Sequence, residues 1–62
     1  MKRRDLLSYL SQQGCRFVRE GKEHSIWENP VTNRCTSVPR HREIPNFTVA
    51  HICKYLGIPV PF

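Results

Sequence analysis

Three histidine side chains are the groups in this sequence best suited to proton transfer near neutral pH, because imidazole both accepts and donates a proton in that range. His24 follows a turn-forming sequence at residues 21–23, His41 lies between two arginines, and His51 lies in an apolar stretch. Metal-free cleavage of RNA uses such a group as a base for the ribose 2′-hydroxyl. It also needs cations around the phosphorus and a donor for the departing 5′-oxygen.

Cations are concentrated in two parts of the chain. The 62 residues contain ten Lys and Arg against five Asp and Glu, for a net charge of +5. Residues 1–22 carry a net +4, and residues 34–42 carry a net +3 with no acidic residue. A phosphate backbone is the leading partner for two basic blocks on so small a chain, because neutralising phosphates releases condensed counterions. A solvated basic surface that maintains solubility is the alternative, and charge alone leaves both open.

The remaining composition argues against a metal or disulfide scaffold. Three cysteines, 20 and 18 residues apart, neither have zinc-site spacing nor form a complete disulfide framework. No cluster of Asp and Glu suggests a divalent metal, so we expect no metal and no cofactor. The basic N-terminus leads into an amphipathic helix rather than a signal peptide, and no apolar run is long enough to span a membrane. We therefore expect one cytoplasmic domain over residues 1–62, with reduced thiols.

The elements that must position these residues can be read from periodicity. Leu6, Leu7 and Leu10 predict a first helix over about residues 3–13, which Gly14 ends. Residues 15–20, the neighbourhood of 25–27, and residues 34–38 predict three strands, the last ended by Pro39. Apolar residues at i, i+3, i+4 and i+7 predict a second helix: Val49, Ile52, Cys53 and Leu56. Asn46 or Thr48 is its predicted N-cap, and Gly57 is predicted to end it.

The predicted order is therefore α-β-β-β-α, an α+β fold with two helices on one face of a three-stranded antiparallel sheet. This is the shape of a double-stranded-RNA-binding-like domain. His24 then lies at the start of the central strand and stays open to solvent. An ordinary polar residue at a strand end would fit the same position, so the residues alone leave the role of His24 open.

Four stretches of the chain, in this order, resemble the HicA family of toxins from type II toxin–antitoxin systems. The first runs from Lys2-Arg3-Arg4-Asp5-Leu6-Leu7 to Gly14-Cys15, and the second is Arg19-Glu20-Gly21-Lys22-Glu23-His24-Ser25-Ile26-Trp27. The third is Thr36-Ser37-Val38-Pro39-Arg40-His41-Arg42-Glu43-Ile44, and the last is Ile52-Cys53-Lys54-Tyr55-Leu56-Gly57-Ile58-Pro59. The resemblance covers residues 2–59, and its specificity rests on order and spacing rather than on any one stretch.

The resemblance implies ribosome-independent cleavage of mRNA by a double-stranded-RNA-binding-like domain, and inhibition by a HicB-type antitoxin. It implies that His24 is the catalytic residue. The family's basic surface corresponds to Lys2, Arg3, Arg4, Lys22, Arg40 and Arg42. His41 is the first candidate for a general acid and an RNA contact, although an exposed loop position would also explain it.

Two departures from the family pattern bear on activity rather than on fold. Glu23 stands where many members have a small residue before the histidine, and its carboxylate either repels phosphate or tunes the imidazole. Ile44-Pro45-Asn46-Phe47-Thr48 replaces the Lys-Pro-Gly-Thr of many members. Two alternatives to a nuclease follow: a non-catalytic RNA-binding module, and a degenerate toxin that acts only as partner of its antitoxin.

Other chemically capable side chains are expected to be structural. Trp27 is expected to pack against the first helix, although it could stack on a base. We expect Tyr9 to be partly buried, Cys53 to lie in the core and His51 to be exposed on the second helix.

Overall fold

Five elements follow one another along the chain, in the predicted order. The computed structural model describes all 62 residues. The elements are α1 (Arg3–Gln12), β1 (Arg16–Glu20), β2 (His24–Asn29), β3 (Arg34–Pro39) and α2 (Asn46–Leu56). The α-β-β-β-α arrangement is thus confirmed, with element ends within one or two residues of those expected.

Both helices bury the face that the apolar spacing predicts. Leu6 and Leu10 of α1 are fully buried, as are Val49, Cys53 and Leu56 of α2. Each helix is followed by a glycine with positive φ, +88° at Gly14 and +79° at Gly57, which ends the helix without the steric cost of a Cβ.

The predicted side-chain cap of α2 is wrong. Pro45 occupies the N-cap position, and no side chain accepts a hydrogen bond there. The backbone N–H groups of Thr48 and Val49 instead donate to the Pro45 carbonyl, as the first turn of the helix. Asn46 is the first residue of the helix. The fixed φ of Pro45 suits the extended backbone that an N-cap residue adopts, so the helix begins directly after it.

The sheet is a meander in the order β1-β2-β3, with both pairs antiparallel. In β2, Ser25, Trp27 and Asn29 are buried, whereas the alternate residues are more open. This period of two shows that both helices cover the same face of the sheet. Eleven buried residues from both helices, two strands and the connecting segments form one core, and Trp27 is among them as expected.

The first strand is the least protected part of the sheet. All five residues of β1 are exposed, and Phe17 and Val18 remain 50% and 46% open to solvent. The register shifts between Phe17, which lies opposite Trp27, and Arg19, which lies opposite Ile26, so Val18 forms a bulge. The Phe17 and Trp27 rings meet edge to face, with their centroids 6.2 Å apart.

Candidate nucleic-acid interface

His24 is the first residue of the central strand, as predicted. Its neighbour Ser25 is buried against the helices, so the alternation along β2 directs the exposed His24 side chain to the opposite, uncovered face. The turn before it is closed by a 2.6 Å hydrogen bond from the Gly21 N–H to the His24 carbonyl. The imidazole is therefore open to solvent, while its backbone is held by the hairpin.

The N-terminal segment brings the two basic blocks together. The Arg3 N–H donates to the Arg42 carbonyl at 2.9 Å, and the Ile44 N–H donates to the Met1 carbonyl at 2.8 Å. Residues 1–3 therefore run alongside residues 42–44, and the backbones of Lys2 and Glu43 form an isolated antiparallel β-bridge. Two segments about forty positions apart in sequence thus meet at the end of the sheet where β2 begins and β3 ends.

A cationic cleft results from this pairing. Its volume is about 560 Å³, and no apolar side chain lines it. The five residues that line it are all cations that the sequence assigned to RNA: Lys2, Arg3, Arg4, Arg40 and Arg42. The structure therefore brings together most of the predicted basic surface, although it does not test whether these side chains bind RNA.

A smaller cleft lies beside it, lined by Lys22, Glu23, Arg40 and His41, with a volume of about 290 Å³. His41 is exposed and also lines a third cleft, together with Pro39, Glu43, Ile44, Pro45 and Thr48. Pro39 lies directly opposite His24 in the sheet register, so these clefts surround the end of the strand pair that carries the candidate base. The Glu23 carboxylate faces this cationic surface.

Arg3 and Arg40 are engaged within the protein. The Arg3 Nε donates to the Pro39 carbonyl at 3.1 Å, and its Nη2 donates to the Ser25 hydroxyl at 2.6 Å. That hydroxyl donates in turn to Oε1 of Glu20, also at 2.6 Å. The Glu20 Oε2 accepts from Arg40 Nη1 at 2.7 Å, and Arg40 Nη2 donates to the Gly21 and Lys22 carbonyls. We call these four residues (Arg3, Glu20, Ser25 and Arg40) the hairpin network.

The other predicted cations are free of such partners. Lys2, Lys22 and Arg42 form no ion pair, and Arg4 only approaches its neighbour Asp5 at 4.0 Å in an exposed position. Exposed pairs of this kind contribute little binding energy. These four side chains are consequently the cations that an incoming polyanion would meet without displacing an internal contact.

Sequence reasoning missed Glu20 and Ser25. Neither residue type is unusual on a strand, and only the alternation that buries Ser25 hints at an internal role.

Trp27 is 7% exposed, and its buried indole N–H has no hydrogen-bond partner. His51 is exposed on α2, and Tyr9 is half-buried with its hydroxyl donating to the Pro59 carbonyl at 2.6 Å.

Two further properties bear on the kind of protein. No three His, Cys, Asp or Glu side chains are grouped to hold a metal ion. Neither helix has the length and apolar character to cross a membrane. The fold and site define a small α+β protein in which a cluster of cations and the exposed imidazoles of His24 and His41 share one end of a three-stranded sheet.

Comparison with protein families gives this class a name. The model of a family described as the HicA toxin of bacterial toxin–antitoxin systems matches residues 3–58. The chain therefore belongs to the HicA toxin family. No curated protein and no solved structure matches it.

Proposed function

We propose that this chain is the toxin of a type II toxin–antitoxin pair and an endoribonuclease that cleaves mRNA, with His24 as general base. One observation carries the proposal: the exposed imidazole at the start of β2 shares the end of the sheet with the cationic cleft. His24 itself lines none of the three clefts, so RNA held in the cationic cleft would reach the imidazole by continuing around the end of the sheet where β2 begins. Family membership supports the toxin role.

The reaction needs one proton acceptor, one proton donor and positive charge. Neutral His24 takes the proton of a ribose 2′-hydroxyl, and the oxygen attacks the adjacent phosphorus. The bond to the 5′-oxygen breaks as that oxygen gains a proton, which leaves a 2′,3′-cyclic phosphate and a free 5′-hydroxyl. His41 is our candidate for the proton donor, because it is exposed and lies on the segment that follows Pro39, the register partner of His24.

Cations have separate tasks in this scheme. Lys2, Arg4 and Arg42 bind phosphates along the cleft, and Lys22 at the hairpin lies nearest in sequence to the base. Binding through phosphates gives strong salt dependence and little sequence preference. The reaction as written uses no metal, so it should proceed in EDTA.

An antitoxin of the HicB type is the proposed protein partner. Charge complementarity predicts that its contact surface is acidic where it meets Lys2, Arg4 and Arg42, and that it covers His24. Inhibition should then be competitive with RNA. A complex that leaves His24 fully open to solvent while blocking cleavage would contradict simple occlusion.

The decisive experiment compares wild type, His24→Ala and His51→Ala on a long RNA in EDTA. His51 is a matched control, since it is an exposed histidine on α2. Wild type and His51→Ala should release cyclic-phosphate ends, whereas His24→Ala should cleave roughly 10²- to 10⁴-fold more slowly, the usual contribution of a general base. Circular dichroism confirms that each variant is folded.

Two other results would replace this proposal. Equal RNA binding by all three proteins without cleavage by any would indicate an RNA-binding module. Antitoxin binding without RNA binding would indicate a toxin that has lost its activity, an alternative that the Glu23 carboxylate in the small cleft keeps open. Undiminished cleavage by folded His24→Ala would exclude His24 as the base.

A further inference from the structure

The hairpin network joins every segment that meets at the His24 end of the sheet. Arg3 belongs to α1, Glu20 ends β1, Ser25 follows His24 in β2, and Arg40 follows β3. Ser25 is only 1% exposed, so its hydroxyl is buried, and its hydrogen bonds with Arg3 and Glu20 are partly buried. A buried polar group with two short hydrogen bonds fixes its neighbours more firmly than an exposed ion pair does.

Arg40 holds the hairpin before His24 while Ser25 is held after it. Its Nη2 reaches two consecutive carbonyls of the turn, at Gly21 and Lys22, and its Nη1 reaches Glu20. Because Glu20 also accepts from Ser25, one carboxylate links the contacts on both sides of His24. The backbone around the candidate base is thus fixed at Ser25 after it, at the Gly21 and Lys22 carbonyls before it, and through the carbonyl of His24 itself.

The same contacts limit what Arg40 offers to RNA. A guanidinium has five N–H groups in a fixed fork, and its two-point contacts with a phosphate, end-on or through Nε, employ Nη2. The Nη2 of Arg40 is already directed at two carbonyls, and the Nη2 of Arg3 at the Ser25 hydroxyl. Both side chains line the cationic cleft, but only Arg40 has both Nη1 and Nη2 engaged, whereas Nη1 of Arg3 has no partner within the protein.

From this geometry we infer that Arg40 and Glu20 are positioning residues for His24, and that Arg40 is not a phosphate ligand. The inference rests on the proposed function for its catalytic consequence. Arg40 was predicted from the sequence to bind RNA; its role is instead to hold the backbone that carries His24. Glu20, an acid in a basic surface, then aids catalysis although its charge opposes RNA binding.

Arg40→Lys is the first test, because it keeps the charge but lacks the fork that spans three acceptors. We expect kcat to fall roughly 10- to 100-fold, as a misplaced catalytic group does. Affinity for a fully 2′-O-methylated RNA, which has no attacking hydroxyl, should stay within about twofold, with the same salt dependence. Arg34→Lys is the matched control at the other end of the sheet and should leave kcat unchanged.

Glu20→Gln is the second test, and it distinguishes positioning from bulk charge. Removing an acid from a basic surface should leave RNA affinity equal or higher. Positioning predicts slower cleavage all the same, because an amide cannot accept from both Ser25 and Arg40. In the double variant with Arg40→Lys the two losses should not add, since the residues act as one unit. If Arg40→Lys fails to fold, Glu20→Gln alone decides the question.

Amide hydrogen exchange gives a readout independent of catalysis. Arg40→Lys should speed exchange of the Gly21 N–H, which donates to the His24 carbonyl, whereas Arg42→Gln should not. Arg42→Gln should instead weaken RNA binding and lower its salt dependence. If wild type cleaves no RNA, the proposed function fails while the exchange and binding results still test the network. Weaker, less salt-dependent binding by Arg40→Lys with Gly21 still protected would overturn the inference.

Discussion

The two ends of the sheet are stabilised by different chemistry. At the His24 end, charged side chains reach carbonyls and one another at a largely exposed surface, and five cations line one cleft. At the far end, Asn29 is 4% exposed, and its amide donates to the Leu56 carbonyl at 2.8 Å while its oxygen accepts from the Val31 N–H at 3.0 Å. The Thr32 hydroxyl reaches the same Leu56 carbonyl at 3.1 Å.

This difference separates the proposed functional site from a structural contact at the two ends of one short sheet. At the far end, two neutral side chains donate to the Leu56 carbonyl, which α2 leaves unpaired. The His24 end leaves its charges accessible, and charges that stay hydrated add little to stability. Substitutions at the far end should therefore unfold the protein, whereas substitutions at the His24 end should change what it does.

Comparing the stability of Asn29→Ala with that of His24→Ala is the strongest test of this contrast. Asn29→Ala removes the donor to the Leu56 carbonyl and the acceptor for the Val31 N–H, at a cost of about 0.5–1.5 kcal/mol for each hydrogen bond lost. His24→Ala should change the free energy of unfolding by less than about 0.5 kcal/mol, as exposed positions do. Urea denaturation followed by circular dichroism measures both. A larger loss at His24 would show that both ends stabilise the fold.

Gly57 offers a finer test of the far end. A Cβ there meets the Thr32 Cγ2 at 3.0 Å in addition to the positive φ, whereas a Cβ at Gly14 meets nothing within 4 Å. Gly14→Ala should therefore cost only the left-handed conformation, about 1–2 kcal/mol. Gly57→Ala should cost more, and Thr32→Ser should recover the excess by removing the methyl group. Equal losses in thermal melts of the two alanine variants would mean that Thr32 moves freely.

The buried cysteines extend the contrast to pH. Burial raises the pKa of the Cys15 and Cys53 thiols, so the folded chain keeps protons that the unfolded chain loses above pH 9.0. The free energy of unfolding should fall as pH rises beyond that value, and less so in a Cys15→Ala/Cys53→Ala variant. Exposed Cys35 should be alkylated in the native protein before the other two. Native alkylation of all three thiols at equal rates would contradict this burial.

The smallest expected effect is on the salt dependence of RNA binding, which should differ between a cation in the cleft and one at the far end. Lys2→Gln and Arg34→Gln each remove one positive charge, but Lys2 lines the cleft, whereas Arg34 donates to the Tyr55 carbonyl at 3.2 Å at the far end. Lys2→Gln should lower the slope of log K against log salt by about 0.7, the value for one phosphate on single-stranded nucleic acid. Arg34→Gln should leave it unchanged. Equal decreases would mean that net charge alone governs binding.

Periodicity predicted the elements because burial on one face follows from local spacing. The stripe of α2 and the glycines at 14 and 57 show this directly, since each signal lies within a few residues of what it determines. The cap of α2 was missed because Pro45 supplies backbone geometry where Asn46 or Thr48 would supply a side chain. Residue type alone does not reveal which of the two begins a helix.

The site was predictable only in its charges. The sequence places cations in two blocks and His24 at a strand start, but the pairing of residues 1–3 with 42–44 depends on tertiary contacts. Which arginines are free depends on Glu20 and Ser25, whose alignment follows from the β1–β2 register. Asn29 shows the same limit at the far end, because nothing in its sequence neighbourhood indicates that its side chain caps α2 from the core.

The bulge at Val18 has a consequence for behaviour at high concentration. An exposed outer strand with apolar side chains is a template on which other chains can add strands and aggregate. The interrupted register at Val18 twists this template, and Arg16 and Arg19 place charges on either side of the Phe17-Val18 pair. We therefore expect this edge of the sheet to resist the strand addition that leads to fibrils.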